Sequence, residues 1–258
     1  MKRKFIAIFV QIICIMIISC NTLKTKTNNF SKNIDNQITI VQISDLHFNP
    51  GNKIYFEMVE RINEINPDLL FITGDMVDKN ENVESLGGLL SNISIKGKTY
   101  AILGNWEYWG NINLIRLKEV LQLNNIELLI NQQSSITVYN RKINIFGMDS
   151  LLGGNPSIRN LSFVEENLNI ILAHEPIIFQ NIANSIKNDF DIFVFSGHTH
   201  AGQITFFGLP IILPPGSGKY SSGIYSIDNF HLNVNKGIGF SKINIRLFAA
   251  PTIDVFVF

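Results

Sequence analysis

Ser196-Gly197-His198-Thr199-His200-Ala201-Gly202-Gln203 closes the apolar run Phe190–Phe195. A run of that kind reads as a buried strand. On a continuing strand, histidines at i and i+2 would share one face and point the same way. On a glycine-bracketed turn at the strand's end they can enter one cavity together. That is how metal ligands are presented, although the pair taken alone fits a polar turn equally well.

Working outward, the same design recurs from Gln37 onward. Ile38–Ile43 runs into Ser44-Asp45-Leu46-His47, Leu69–Ile72 into Thr73-Gly74-Asp75, Tyr100–Leu103 into Gly104-Asn105, and Leu168–Ala173 into His174. With Phe190–Phe195 these are apolar runs of β-branched and large residues, the signature of strands covered on both faces. Helical patterns lie between them: Tyr55–Ile65, stopped before Pro67, and a weaker one over Val83–Ile93, loosened by Gly87 and Gly88. Asn111–Asn124 sets Ile112, Leu114, Ile115, Leu117, Val120 and Leu121 at helical spacing. Strand–helix alternation implies right-handed crossovers, and ligands of such sheets bind beyond the carboxyl ends of the strands. The Asp, Asn and His residues fall at those ends.

Glu127–Ile130, Ser135–Tyr139 and Ile143–Phe146 read as further strands before the glycine-rich loop Gly147–Asn155. After the histidine turn come Ile204–Phe207, Ile211–Leu213, Gly223–Ile227, His231–Val234, Ile243–Phe248 and Ile253–Phe258. The alternation of Ile243, Ile245 and Leu247, and of Ile253, Val255 and Val257, predicts an outer or second sheet with one polar face. The expected fold is α/β (α+β): two mixed β-sheets flanked by helices, a four-layer sandwich.

The 258 residues, 46% of them hydrophobic, are enough for one large core, and the formal net charge of +0 offers no basic excess for nucleic acid. The N-terminus differs in kind: Lys2-Arg3-Lys4, an apolar run Phe5–Ser19 broken only by Gln11, then Cys20. This pattern describes a secretory signal, short of the ~20 residues that a spanning helix wants. Ile17-Ile18-Ser19-Cys20 resembles a bacterial lipobox, which would leave Cys20 lipidated; an uncleaved anchor is the other reading. Either way residues 1–20 imply an exported, membrane-tethered protein, residues 21–36 a flexible polar tether, and residues 37–258 the functional domain. Cys14 lies within the apolar run, so the fold is expected to rely on no disulfide.

Asp45, His47, Asp75, Asn105, His174, His198 and His200 together offer three oxygen ligands and four imidazoles. Such a mixed set suits two hard or borderline divalent ions sharing a carboxylate better than a closed thiolate zinc site. Two such ions a few ångströms apart can activate a water and neutralise a phosphoryl group during in-line displacement. Asp68 and Asp149 read as cap or loop residues.

The blocks DLH, GD, GN, AH and GHTHAGQ, in this order and spacing, resemble the calcineurin-like metallophosphoesterases. The ending GHTHAGQITFFGLPIILPPGSGKYSSGIY is similar to their membrane-associated bacterial branch, which includes phosphodiesterases and lipid A precursor pyrophosphatases. The resemblance runs from about Ile38 to the C-terminus and implies two divalent ions (Mn, Fe or Zn). Asp45, His47 and His200 would hold the first, Asn105, His174 and His198 the second, and Asp75 would bridge them. It further implies a phosphodiester or pyrophosphate substrate, and the tether points to a lipid-linked one. Where the family usually writes GNH followed by an acid, this chain has Gly104-Asn105-Trp106-Glu107. That histidine is credited with protonating the leaving group or steadying phosphoryl oxygens, and an indole cannot deliver a proton at neutral pH. Either the scissile bond has a good leaving group, as in a pyrophosphate, or another residue supplies the proton, with Glu107, Tyr108 and His231 as candidates. A catalytically weak binding protein for phosphorylated ligands is the alternative function. The apolar segment Thr205–Pro215 reads first as a buried hairpin and second as an apolar lip for a lipid-linked substrate.

Overall fold

The apolar runs pair into two six-stranded mixed sheets stacked face to face in the computed structural model, which describes residues 22–31, 35–206, 209–240 and 246–258. The first sheet has the order β1 (Lys24–Asn29), β14 (Thr252–Val257), β2 (Thr39–Ile43), β3 (Leu69–Thr73), β4 (Lys98–Ile102) and β5 (Ile126–Leu128). Within it, β2 to β5 run parallel and β14 runs antiparallel to β2. The second sheet has the order β12 (Gly223–Ile227), β13 (Phe230–Val234), β9 (Ile192–Ser196), β8 (Leu168–Leu172), β7 (Arg141–Gly147) and β6 (Gln132–Val138), parallel from β13 to β7 with an antiparallel strand at each edge. A small hairpin, β10 (Thr205–Phe206) and β11 (Leu209–Pro210), stands apart.

Alternation along each strand makes the layers. Leu69 and Phe71 of β3 join Ile40 and Tyr100 to face Ile145, Ile170, Leu172 and Phe195 of the other sheet. Leu70 and Ile72 point outward instead, against the buried Met58, Val59 and Ile62 of α1 (Ile54–Ile65), with α2 (Val83–Leu90) and α4 (Leu114–Leu123) in the same layer. On the far side Ile171 and Val194 pack on Phe179 and Ile182 of α5 (Ile178–Ser185). A strand buried on both faces needs apolar residues at successive positions, which is why the runs read as continuous. α1 stops where Asn66 turns left-handed (φ 47°) ahead of Pro67.

Several expectations are corrected. Residues 24–29, inside the presumed tether, are instead strand β1, paired parallel with β14. Its side chains are mostly exposed, so composition shows nothing; backbone pairing and its two flanks hold it. Leu23 is buried, and Phe30 stacks on Phe258 at 5.4 Å and meets Phe193 edge-on at 5.2 Å. The fold therefore begins well before Gln37. α4 starts at Leu114 rather than Asn111, because the Asn113 side chain caps it by accepting from the Arg116 amide. Asn105–Trp109 forms a short helix, α3, too brief to show a period. Ile211 and Ile212 are not strand and are 64% and 75% exposed, so the buried hairpin gives way to an exposed lip. Residues 243–245 of the expected strand Ile243–Phe248 lie outside the described residues, as do the signal and lipobox over residues 1–20. Among the described residues no helix is long and apolar enough to cross a membrane.

Phe30→Ala removes the aromatic plug that locks β1 onto both sheets. It is expected to lower stability by about 2 kcal/mol, measured as a shift of the urea midpoint at unchanged m-value.

Candidate metal centre and active site

The two sheets bring their carboxyl ends to one place. Asp45 and His47 follow β2, Asp75 follows β3, and Asn105 opens α3 after β4; His174 follows β8, and His198 and His200 follow β9. The loops stay zipped past the strand ends, with the Asp45 amide donating to the Gly74 carbonyl (3.0 Å) and the His47 amide to the Asp75 carbonyl (2.9 Å). Contacts at the site also cross between the sheets: the His198 amide donates to both Asp45 carboxylate oxygens (3.0 and 2.9 Å), and His174 Nδ1 donates to the Thr73 carbonyl (2.7 Å).

All seven predicted side chains are buried and converge. Asp45, His47 and His200 form one cluster able to hold a cation, and Asp75, His174 and His198 a second, with the donor atoms of each within 4.8 Å of one another. Asp75 lies between them: its Oδ2 is 3.1 Å from His174 Nε2 and 3.8 Å from His47 Nε2. Asn105 Oδ1 is buried with no hydrogen-bond partner among the described residues, and His174 Nε2 faces only the Asp75 carboxylate. Buried polar atoms are rarely left so, and here they are atoms of the metal-ligand type. The donor set therefore fits two divalent ions.

Three of the imidazoles are oriented by acceptors behind them, the usual support of a ligating histidine. His47 donates through Nδ1 to Asp78 (2.7 Å), His174 through Nδ1 to Thr73, and His198 through Nε2 to the Pro215 carbonyl (2.6 Å). His200 differs, since its Nδ1 accepts from Arg246 Nη2 (3.0 Å). Arg246 is fully buried and also donates to the carbonyls of Lys236, Gly239 and Ala249. Burial, His47 and the Arg246 charge hold the His200 pKa well below the ordinary histidine range, and burial and His174 lower that of His198. Burial also works against protonation of His47 and His174. There it is outweighed, at His47 by the Asp78 hydrogen bond and at His174 by the Asp75 charge, and both pKa values rise. The carboxylates thus draw positive charge into the site, which is the work a cation would do.

Glu107 was a candidate proton donor, and the structure gives it another task. Its buried carboxylate accepts from the amides of Gly104 (2.7 Å), Asp75 (3.1 Å), Met76 (2.6 Å) and Val77 (3.2 Å), tying the Asp75 loop to α3. Burial and the Asp75 charge push its pKa up to about 7 against those hydrogen bonds. Tyr108 gives its hydroxyl to Asp149 (2.5 Å), and His231 bonds Asp191 and Ser226 on β13 beside Phe193, near the start of β9 and away from the ligand-bearing ends. Asp149 caps its own loop and Asp68 accepts from the Thr39 amide, as expected of both. Trp106 donates its backbone N–H to Asp75 Oδ1 (2.8 Å), and its ring stands edge-on to His47 at 5.9 Å. It walls a cleft of about 590 Å³ whose floor includes Asp75, Asn105, His198 and His200.

Sequence reasoning missed Asp78, Arg246, Glu175 and the Pro215 carbonyl. Glu175 accepts from Ser150 Oγ and the amides of Leu151 and Leu152, fixing the loop after β7. Only Asp78, three residues past Asp75, and Glu175, next to His174, carried a signal, namely an acid beside a ligand. Arg246 is remote in sequence.

The family model for calcineurin-like phosphoesterases matches residues 38–202. An uncharacterised metallophosphoesterase of Bacillus subtilis, YkuE, is 32% identical over 231 residues, covering 84% of this chain and 77% of that protein. A second, from Campylobacter jejuni, is 29% identical over 238 residues, covering 86% of this chain and 59% of that protein. Among solved structures, a phosphopantetheinyl hydrolase of Mycobacterium tuberculosis aligns with a TM-score of 0.49 at 12% identity, over 80% of this chain and 92% of that one.

Glu107→Gln keeps the shape but turns an amide NH₂ toward backbone donors. Loosening the Asp75 and Asn105 loops in this way is expected to weaken Mn²⁺ binding by roughly 10–100-fold, read by calorimetric titration. Unchanged affinity would show that the loops hold themselves.

Proposed function

The chain belongs to the calcineurin-like phosphoesterase family, and from that premise we propose that it is a dimetal phosphohydrolase cleaving phosphodiester or pyrophosphate bonds of lipid-linked substrates from an exported, membrane-tethered position. The observation that carries the hydrolase reading is Asp75, set between two convergent donor clusters, with Asn105 Oδ1 left for a further partner. Asp45, His47 and His200 would hold one ion and Asn105, His174 and His198 the other, with Asp75 common to both. When bound, two such ions activate water and neutralise charge on the phosphoryl group.

The chain's own residues limit the chemistry. Asp78 and the carbonyls of Thr73 and Pro215 keep the imidazoles in the ligating orientation. Trp106 has no proton to give, and Glu107 and Tyr108 are engaged elsewhere, which supports bonds whose leaving group is already a stable anion. The same absence of a donor favours the second reading, capture of phosphorylated ligands without turnover. Against it, the cleft beside Trp106 leaves room for a phosphoryl group.

The full chain is used to test these readings, because β1 belongs to the fold. Loaded with Mn²⁺, it is expected to hydrolyse an aryl phosphodiester and to lose that activity in Asp75→Asn and after chelation. An alkyl phosphodiester is expected to react slowly and to gain by ~10²-fold or more in Trp106→His. Metal binding without cleavage of either ester, even in Trp106→His, would favour ligand capture.

The tether rests on the sequence alone. Cys20→Ser is expected to abolish incorporation of labelled palmitate in a bacterial host and to release the protein from the membrane fraction. Unchanged labelling would remove the lipoprotein reading.

A further inference from the structure

The ligand cluster is flanked by two openings of different chemistry. On the His47 side a mostly polar recess of about 450 Å³ is lined by Asn49, Asp78, Lys79 and Asn82, with Phe48 and Phe240 as its apolar part. On the Trp106 side the cleft of about 590 Å³ is walled by Trp106, Trp109, Ile211, Ile212, Pro214 and Pro215. The rings of His47 and Trp106, in edge contact, mark the boundary between the two.

The apolar wall is costly to leave in water. Trp109 is 54% exposed, Ile211 64% and Ile212 75%, so three large apolar side chains rim one mouth. Single exposed hydrophobics need no explanation, but a group of them at the entrance to a ligand-bearing cleft marks a binding surface. The wall is also built in. The Trp106 backbone is tied to Asp75, its ring meets Trp109 at 5.9 Å in a T-shaped contact, and the Pro215 carbonyl orients His198. Because Asp75, Asn105, His198 and His200 form the floor, a group that fills this cleft must be attached close to the reacting phosphorus.

We propose that the cleft between Trp106 and Ile212 is the subsite for the hydrocarbon portion of an amphiphilic phosphoester, whose polar portion is directed to the recess of Asn49, Asp78 and Asn82. The proposal rests on the phosphohydrolase reading above and adds where the two halves of the substrate go. Each methylene buried on such a wall raises affinity by about fourfold. The hydrocarbon can come from a free amphiphile or from a lipid still in its bilayer, and the rim residues suit both.

Both tryptophans of the chain, Trp106 and Trp109, lie on this wall, so intrinsic fluorescence reports its occupancy directly. The full chain is placed in polymer-bounded bilayer discs, loaded with Mn²⁺ and given p-nitrophenyl phosphodiesters whose second ester is methyl, butyl or octyl. Hydrolysis releases the same p-nitrophenolate from each. The expected kcat/KM rises by at least ~50-fold from methyl to octyl, mostly through KM. Octylphosphonate, and not methylphosphonate, is expected to shift the tryptophan emission to the blue. Ile212→Asp should cut the octyl-to-methyl ratio at least about fivefold, while Ile115→Asp, at a 76% exposed position on α4, should leave it unchanged. A hexadecyl ester embedded in the disc separates the sources: cleavage there shows that lipid is taken from the bilayer, and its absence beside octyl cleavage restricts the subsite to free amphiphiles. Equal rates for all chain lengths with no emission shift would overturn the subsite while leaving the hydrolase reading intact. Failure to cleave any ester would defeat the hydrolase reading, and the octylphosphonate titration would still decide the subsite.

Discussion

Everything at this site depends on the seam where the two sheets touch at their carboxyl ends. The His198 amide grips the Asp45 carboxylate, and His174 reaches back to the Thr73 carbonyl, so each sheet positions ligands of the other. Deeper in the seam, Gln42 donates to the Ser196 carbonyl and accepts from Asn233. These buried hydrogen bonds join fixed atoms of the two sheets, and their geometry narrows the relative placement of the sheets. The fit is tight enough to dictate residue type. A Cβ at Gly197 would fall 1.8 Å from Ser44 Oγ, and one at Gly104 would fall 2.2 Å from Asp75 Oδ1. The glycines beside the ligands are there because the loops of the two sheets pack backbone to side chain with no space between.

Bringing seven donors to one point bends the chain where it resists bending. Asp45, His47, Asp75, His198 and His200 all have positive φ, between 42° and 72°. For residues with a Cβ this costs on the order of 1 kcal/mol each and persists only where surrounding contacts enforce it. The amide contacts to Glu107 and the ladder bonds that continue past β2 and β3 supply that enforcement. Strain of this kind is expected where preorganised donors matter more than local comfort. It also explains why Glu107 stays buried: a carboxylate serving four amides holds a loop better than it could donate a proton.

The sheets and the ligands were legible because one physical fact writes both. A strand covered on two faces is largely apolar, so the polar residues that follow it, with Asp45, Asp75, Asn105, His174 and His198 among them, stand out. β1 was illegible for the opposite reason. Lys24–Asn29 contributes backbone hydrogen bonds and little else, and its anchors, Leu23 and Phe30, are single residues outside the strand. Arg246 was hidden because its partners, His200 and three backbone carbonyls, become neighbours only through the fold. Composition could not tell whether Thr205–Pro215 lies inside or outside, since an interior hairpin and an exposed lip use the same isoleucines.

The exchange at position 106 unites features that looked separate in the sequence. Beside the convergent donors, an indole where the resemblance would place an imidazole offers no proton to deliver and adds an apolar wall at the same spot. A site so altered gains little from substrates whose leaving oxygen needs a proton. It gains more from substrates whose hydrocarbon, bound on the wall beside the reacting bond, supplies binding energy that orients the phosphoryl group for attack. The polar recess beyond His47 and the wall formed by Trp106 and Trp109 are then two halves of one recognition problem. The metal-ligand cluster lies on the boundary between them, where an amphiphile carries its phosphorus.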